Sequence, residues 1–286
     1  MRITISHQMS VTPPAGTAHA VLHLLLTPTS GPTQRVEDWT VEMAGIENAA
    51  VFADAYGNRV QLVNQSRPEG PLLVNVRGTV VTNDRAGVLG RPGGEPVPAL
   101  YKRTTPLTKA SVTLYGKFRG SKDSRIDVLH ALMARVGETL GVDTEASQGQ
   151  SQSQMSADGG QGQSQKQSSG SAAPEAESVA PTASALVHLF IGGARALDIP
   201  ARYVTGYVAA EPDGDDDLVG LHAWAEAYDE ALGWIGFDPL LQICPSDRHV
   251  RLAVGLDELS TTPIRVVPAG DGVTMLDVSV TSQTSA

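Results

Sequence analysis

Ala194-Arg195-Ala196-Leu197-Asp198-Ile199-Pro200-Ala201-Arg202-Tyr203-Val204-Thr205-Gly206-Tyr207 ends one kind of element and begins another. Before it, Leu186, Leu189, Phe190 and Leu197 fall on or near one face, so residues 184–197 are expected to be helical. Asp198-Ile199-Pro200 stops that helix, because proline lacks a backbone N–H and crowds the preceding turn. Beyond the stop, residues 202–208, 222–228, 234–238 and 249–254 read as strands, and 275–280 as a last one. A helix followed by several strands predicts an α+β architecture. No repeat of about 20–50 residues is visible.

Upstream, Ile126, Leu129, His130, Met133, Val136 and Leu140 recur at three- and four-residue steps and predict a second amphipathic helix, which Gly141 would end. Between the two helices, residues 146–180 are of another kind. Gln, Ser and Gly dominate, and Leu, Ile and aromatic residues are missing. Such a stretch buries too little apolar area to offset the entropy of ordering it, and a flexible surface loop is expected. The N-terminal part reads as β: Ile3 and Ile5, then Trp39, Val41 and Met43, then Leu72, Val74 and Val76 alternate with their neighbours. Asp54-Ala55-Tyr56-Gly57-Asn58 looks like a hairpin turn between two such runs. Residues 90–98 hold several Gly and Pro and read as a loop. The expected organisation is a β-rich domain at 1–105 and a second domain at 106–286 that carries the insertion.

The chain has 286 residues, a net charge of −10 and a pI near 5.1. That balance argues against a nucleic-acid partner, since phosphate binding needs clustered Lys and Arg. Cys244 is the single cysteine, so neither an intrachain disulfide nor a cysteine-rich metal site is possible. The N-terminus lacks the apolar core of a signal peptide, and the apolar run at 20–26 is too short to span a bilayer. A cytoplasmic protein with no membrane partner, no cofactor and no metal is expected. Asp213-Gly214-Asp215-Asp216-Asp217 lacks the spacing and late Glu of an EF-hand and reads as a solvated loop.

Three passages carry a family resemblance. The 194–207 stretch resembles the ARALGIPARYVSGY passage of bacterial transglutaminase-like proteins. His222-Ala223-Trp224-Ala225-Glu226-Ala227-Tyr228 resembles their HAWVE strand, and Leu232-Gly233-Trp234-Ile235-Gly236-Phe237-Asp238-Pro239 their GWVGFDP segment. Ile243-Cys244-Pro245 and His249-Val250-Arg251-Leu252-Ala253-Val254-Gly255 continue the match, and the N-terminal region is similar to the β-rich segment that often precedes this domain. The resemblance implies a papain-like fold, with a helix packed on an antiparallel sheet. It also implies a cysteine at the helix start, a histidine on a strand and an aspartate on the next, acting together in acyl transfer.

Residue by residue, His222 takes the histidine position and Asp238 the aspartate position. The family's cysteine passage, aligned on His188, falls on Pro181-Thr182-Ala183-Ser184-Ala185-Leu186-Val187-His188, which puts Ala183 at the nucleophile. A methyl group has no lone pair, so the family mechanism cannot run. Pro181, Thr182, Ser184 and Ala185 depart from the pattern too, which suggests natural loss rather than a single exchange.

Each residue also has a plainer reading. His222 and Asp238 are either remnants of a catalytic pair or a buried hydrogen-bonded pair kept because breaking it is costly. His188, Trp224 and Trp234 read as core, the tryptophans flanking the presumed cleft. Cys244 reads as a small buried hydrophobe, with a displaced nucleophile as the alternative. The hydroxyls of Ser184 and Thr182 are offset from the vacant position by about 100° of helix turn per residue. The leading expectation is a catalytically inactive transglutaminase-like protein that acts as a scaffold for a peptide or protein. The alternative is an amidase, peptidase or acyltransferase using Cys244 or Ser184 with His222 and Asp238. A third is a subunit that stabilises an active paralogue. Neither the partner nor the oligomeric state is legible.

Overall fold

The alternating N-terminal runs fold as strands whose apolar sides meet each other. The computed structural model describes residues 1–139, 182–210, 220–270 and 272–283. The Gln/Ser/Gly-rich insertion, the Asp213–Asp217 run, Leu140, Gly141 and Pro181 lie outside the described residues.

In chain order come β1 (Arg2–Val11), β2 (His19–Thr27), β3 (Gln34–Glu42), β4 (Ala50–Ala53), β5 (Arg59–Ser66), β6 (Leu72–Thr82) and β7 (Val88–Gly90). The helices α1 (Val112–Tyr115), α2 (Arg125–Thr139) and α3 (Ala183–Ala196) follow. Then come β8 (Ala201–Val208), β9 (Gly220–Asp229), β10 (Gly233–Phe237), β11 (His249–Gly255), α4 (Glu258–Thr261), β12 (Ile264–Val267) and β13 (Val273–Gln283).

Three antiparallel sheets result, ordered β13-β1-β6-β3, β12-β2-β5-β4 and β11-β8-β9-β10-β7. Ile3, Ile5, Met9 and Val11 of β1 share one core with Leu22, Leu24 and Leu26 of β2 and with Val74, Val76 and Val80 of β6. Tyr207 of β8 and Val250 and Leu252 of β11 join the same core, so the third sheet packs on the first two. Asp54 folds the expected hairpin turn, its Oδ1 accepting from the backbone N–H of Tyr56 and of Asn58 at 2.8 and 2.9 Å.

The helices cover the other face of the third sheet. Leu186, Phe190, Ile191 and Ala194 of α3 are buried against Leu129, Leu132 and Val136 of α2 and against Ala223, Ala225 and Phe237 of the sheet. All of β8 is buried. Glycine permits the tight fit at two places: a Cβ on Gly206 would collide with the Trp224 ring and the Val250 carbonyl, and one on Gly192 would lie 2.5 Å from the Thr108 carbonyl.

The sheets do not follow the expected division at residue 105. β7, from the first part, extends the third sheet through β10. β12 and β13, from the second part, return to pair with β2 and β1. The return covers what would otherwise be two unpaired edges, each a row of unsatisfied N–H and C=O groups.

Candidate functional site

The site assembles where the start of α3 meets the third sheet and the returning C-terminal strands. Thr182 caps α3, its Oγ1 accepting from the Ala185 N–H at 3.3 Å, so Ala183 is the first helical residue. His222 lies on β9 opposite Gly206 of β8. Asp238 directly follows β10, and its backbone N–H bonds the Ile243 carbonyl at 2.8 Å.

Asp238 is fully buried and accepts four hydrogen bonds. Its Oδ2 receives His222 Nε2 at 2.5 Å and His249 Nε2 at 3.2 Å. Its Oδ1 receives the N–H groups of Leu240 and Leu241, both at 3.1 Å. Burial pushes this carboxyl up, but the hydrogen bonds and charges of His222 and His249 outweigh it and hold the pKa at about 2. The aspartate is therefore ionised at neutral pH.

That charge and the local backbone set the tautomers. His249 Nδ1 accepts from the Ser246 N–H at 3.2 Å, so the ring's proton sits on Nε2 and points at Asp238. His222 likewise donates through Nε2, which leaves a lone pair on Nδ1. Nδ1 has no hydrogen-bond partner among the described residues. Nor is it sealed from the surface: the sealed, unpartnered side-chain polar atoms there are His7 Nε2, Tyr101 Oη and Arg135 Nε.

His222, Asp238 and His249 have the composition of a two-histidine, one-carboxylate metal site, with donor atoms within 4.8 Å of one another. Their hydrogen bonding does not fit that role. To bind through Nε2, His249 would have to move its proton to Nδ1, against the Ser246 N–H. Both rings would also give up their bonds to Asp238. The trio reads instead as a carboxylate clamped by two imidazoles.

Ala183 and His222 line one open cavity of about 300 Å3, with Thr182, Ser184, Tyr203, Leu221, Glu258, Pro263 and Met275 among the other lining residues. The lining is mostly apolar, and Glu258 supplies its formal charge. Ser184 Oγ donates to Glu258 Oε2 at 2.7 Å and makes no bond to His222. Cys244 lies outside this lining. It packs beside Gly87, where an added Cβ would come within 2.8 Å of the cysteine's own. Burial pushes its thiol up, which keeps it protonated and unreactive.

The other expected site residues have structural partners. His188 is buried, its Nε2 accepts from the Glu258 N–H at 3.2 Å, and its ring lies 5.0 Å from that of Tyr203. Both tryptophans pack in the core, as expected, and neither is among the residues that line the cavity. Trp224 stacks behind His222 at 6.3 Å and meets the edge of His249 at 5.3 Å. Trp234 carries the Arg202 guanidinium 3.9 Å above its ring.

Arg202 also belongs to a buried ion network invisible in the sequence. It bonds Glu226 at 2.6 Å and Glu95 at 2.8 Å, and Arg251 bonds the same two carboxylates at 3.0 and 3.2 Å. This network ties β8, β9 and β11 to the 90–98 loop and fixes the strands that carry His222 and His249.

Sequence reasoning missed His249, Glu258 and Met275. His249 stood at the head of a matched passage read only as a strand, and Met275 in a strand whose partner sheet no pattern announces.

Comparison with known proteins agrees with this geometry. Residues 3–81 match the bacterial transglutaminase-like N-terminal region, and residues 152–239 match the transglutaminase-like superfamily. An uncharacterized protein of Mycobacterium leprae is 32% identical over 99 residues, which cover 32% of this chain and 34% of the relative. One from Mycobacterium tuberculosis H37Rv is 31% identical over 101 residues, 32% of each. The match thus spans about a third of these relatives. A crystal structure described as a candidate cysteine protease from Cytophaga hutchinsonii shares the fold, with a TM-score of 0.52 at 16% identity over all of this chain and 91% of that one. Among the described residues, no helix is long and apolar enough to cross a membrane.

Proposed function

The chain belongs to the transglutaminase-like superfamily, and we propose from that membership that it is a binding member without the superfamily's thiol chemistry, holding a peptide or protein segment in the cleft without forming an acyl-enzyme. One observation carries the reading. Ala183 and His222 face a common cavity, whereas Cys244 packs elsewhere with a protonated sulfur. The thioester step of the superfamily needs a thiolate beside the imidazole, and residue 183, which lines the same cavity as His222, is an alanine. The surrounding frame persists: α3 is capped, Asp238 is ionised, and the ion network holds the strands. The apolar wall of Leu221, Pro263 and Met275 beside the edge of β9 suits an extended segment with an apolar side chain.

The displaced-nucleophile alternative gains no support. The Ser184 proton is already committed to Glu258, and Cys244 is not in the cavity.

The test uses N,N-dimethylcasein as a glutamine-rich unfolded protein and dansylcadaverine as the amine. The reading predicts no dansyl incorporation, with slowed hydrogen exchange at Leu221–Ala223 when casein is added. Incorporation that disappears in His222→Ala would overturn it, as would unchanged exchange at β9.

A further inference from the structure

We propose that the cleft hydrolyses activated acyl compounds, neutral esters and thioesters, by direct attack of a water molecule that His222 deprotonates. This goes beyond the binding reading, and it needs no nucleophilic side chain.

Asp238 accepts the Nε2 proton of His222 at 2.5 Å, which leaves the Nδ1 lone pair to take a proton from water. The ring is buried, with 7% of the residue exposed, yet Nδ1 is neither partnered nor sealed. The ring lines a cavity of about 300 Å3 that Ala183 also lines. A water molecule needs about 30 Å3 and polar partners, and Nδ1 supplies one.

The first turn of α3 supplies the complementary group. The N–H groups of Ala183 and Ser184 have no intrahelical acceptor, and Thr182 Oγ1 takes only that of Ala185. α3 has 14 residues, so its N-terminus carries a full partial positive charge. These donors suit a developing oxyanion. Glu258, at the rim, disfavours anionic substrates and makes neutral esters the better class.

The step balances without a cofactor. The water oxygen bonds to the acyl carbon as its proton passes to His222 Nδ1, and the carbonyl electron pair moves onto oxygen beside the α3 N–H groups. When that pair returns, the bond to the alkoxide or thiolate breaks, and His222 gives its proton to the leaving group. Acid and alcohol, or acid and thiol, depart with the protein unchanged. An amide is spared, because its resonance and its poor amine leaving group set a barrier that one general base does not overcome. A bound peptide therefore survives where an ester does not.

The experiment is steady-state hydrolysis of 4-nitrophenyl acetate and of a neutral acetyl thioester by the full chain. Turnover should be linear from the first point, without a burst. His222→Ala should lower it by about a hundredfold or more, the scale of a positioned base. Cys244→Ser should leave it unchanged. Ala183→Leu, which keeps the imidazole but takes up part of the cavity, should lower the cleft-dependent rate in a protein of unchanged circular dichroism. Rates equal in wild type, His222→Ala and Ala183→Leu would overturn the proposal, as would a burst of bound acyl group. Casein protection of β9 without ester hydrolysis would sink this proposal alone, and hydrolysis without protection would sink the binding reading alone.

Discussion

Ala183→Cys should regenerate a reactive thiolate, and the size of the effect can be worked out from the site. The new sulfur enters an open cavity of about 300 Å3 at the first residue of α3, so no neighbour has to move. An ordinary cysteine titrates near ~8.5. A thiolate about 4 Å from an imidazolium gains roughly 4 kcal/mol at an effective dielectric of about 20, or about three pKa units. The helix terminus adds roughly half a unit. Partial burial and the Glu258 carboxylate on the rim subtract, leaving a net depression of about two units and a pKa near ~6.5. The assay is the pH dependence of alkylation by iodoacetamide, followed by peptide mapping to separate the introduced thiol from Cys244. The account predicts that the introduced thiol reacts readily at about pH 6.5 while Cys244 stays inert, and that adding His222→Ala returns the profile to an ordinary thiol. A profile centred at or above about pH 8.5 with His222 intact would refute the placement of residue 183 beside the imidazole.

Three further outcomes follow from the same structure. Glu226→Gln removes the fully buried carboxylate that Arg202 and Arg251 share, leaves Glu95 to face both, and should cost about 3–5 kcal/mol, read as a lowered midpoint in urea; an unchanged midpoint would remove the network from the fold's support. Acid should destabilise the protein in two stages. Burial depresses His7 and His188, so their contributions begin to be lost as pH falls below about 6.5. The Asp238 contribution, roughly 2.5 kcal/mol, is complete above its unfolded pKa near ~3.9 and is lost as pH falls through the window down to about 2. Asp238→Asn should flatten the second stage and leave the first, and an unaltered second stage would count against the clamp. Ending the chain after Thr262 should uncover β1 and β2 and yield insoluble protein, and a monomeric, cooperative product would show that the return strands are dispensable.

Much of the α+β core was readable because its elements announce themselves locally. α3 was expected at 184–197 and runs over Ala183–Ala196, since its buried residues recur at helical spacing and proline follows its end. β8 to β11 were legible from short runs rich in Val, Tyr, Trp and Ile, although β8 and β9 also bury Arg202 and Glu226. β13 shows what local pattern cannot tell. Of its residues only Val280 is buried, so nothing in Val273–Gln283 specifies that it pairs with β1, across the boundary drawn at residue 105. His222 and Asp238 were picked out by the family resemblance, and the structure puts them in contact at 2.5 Å. His249 was missed because its role depends on a backbone turn: Ser246 fixes its tautomer from three residues away. Glu95 was passed over as part of a Gly/Pro-rich loop, since a charged loop residue betrays its partners only when the chain folds back on β8 and β11.

The central claim is that no side chain of this site becomes acylated. Its most direct test is intact-protein mass spectrometry of the wild-type chain after brief incubation with excess 4-nitrophenyl acetate at neutral pH, beside His222→Ala. The account predicts the same adducts on both, in equal amount and confined to surface lysines. An acetyl adduct on Cys244 or Ser184 that is present in the wild type and absent in His222→Ala would contradict it, and would show that the nucleophile has moved rather than gone.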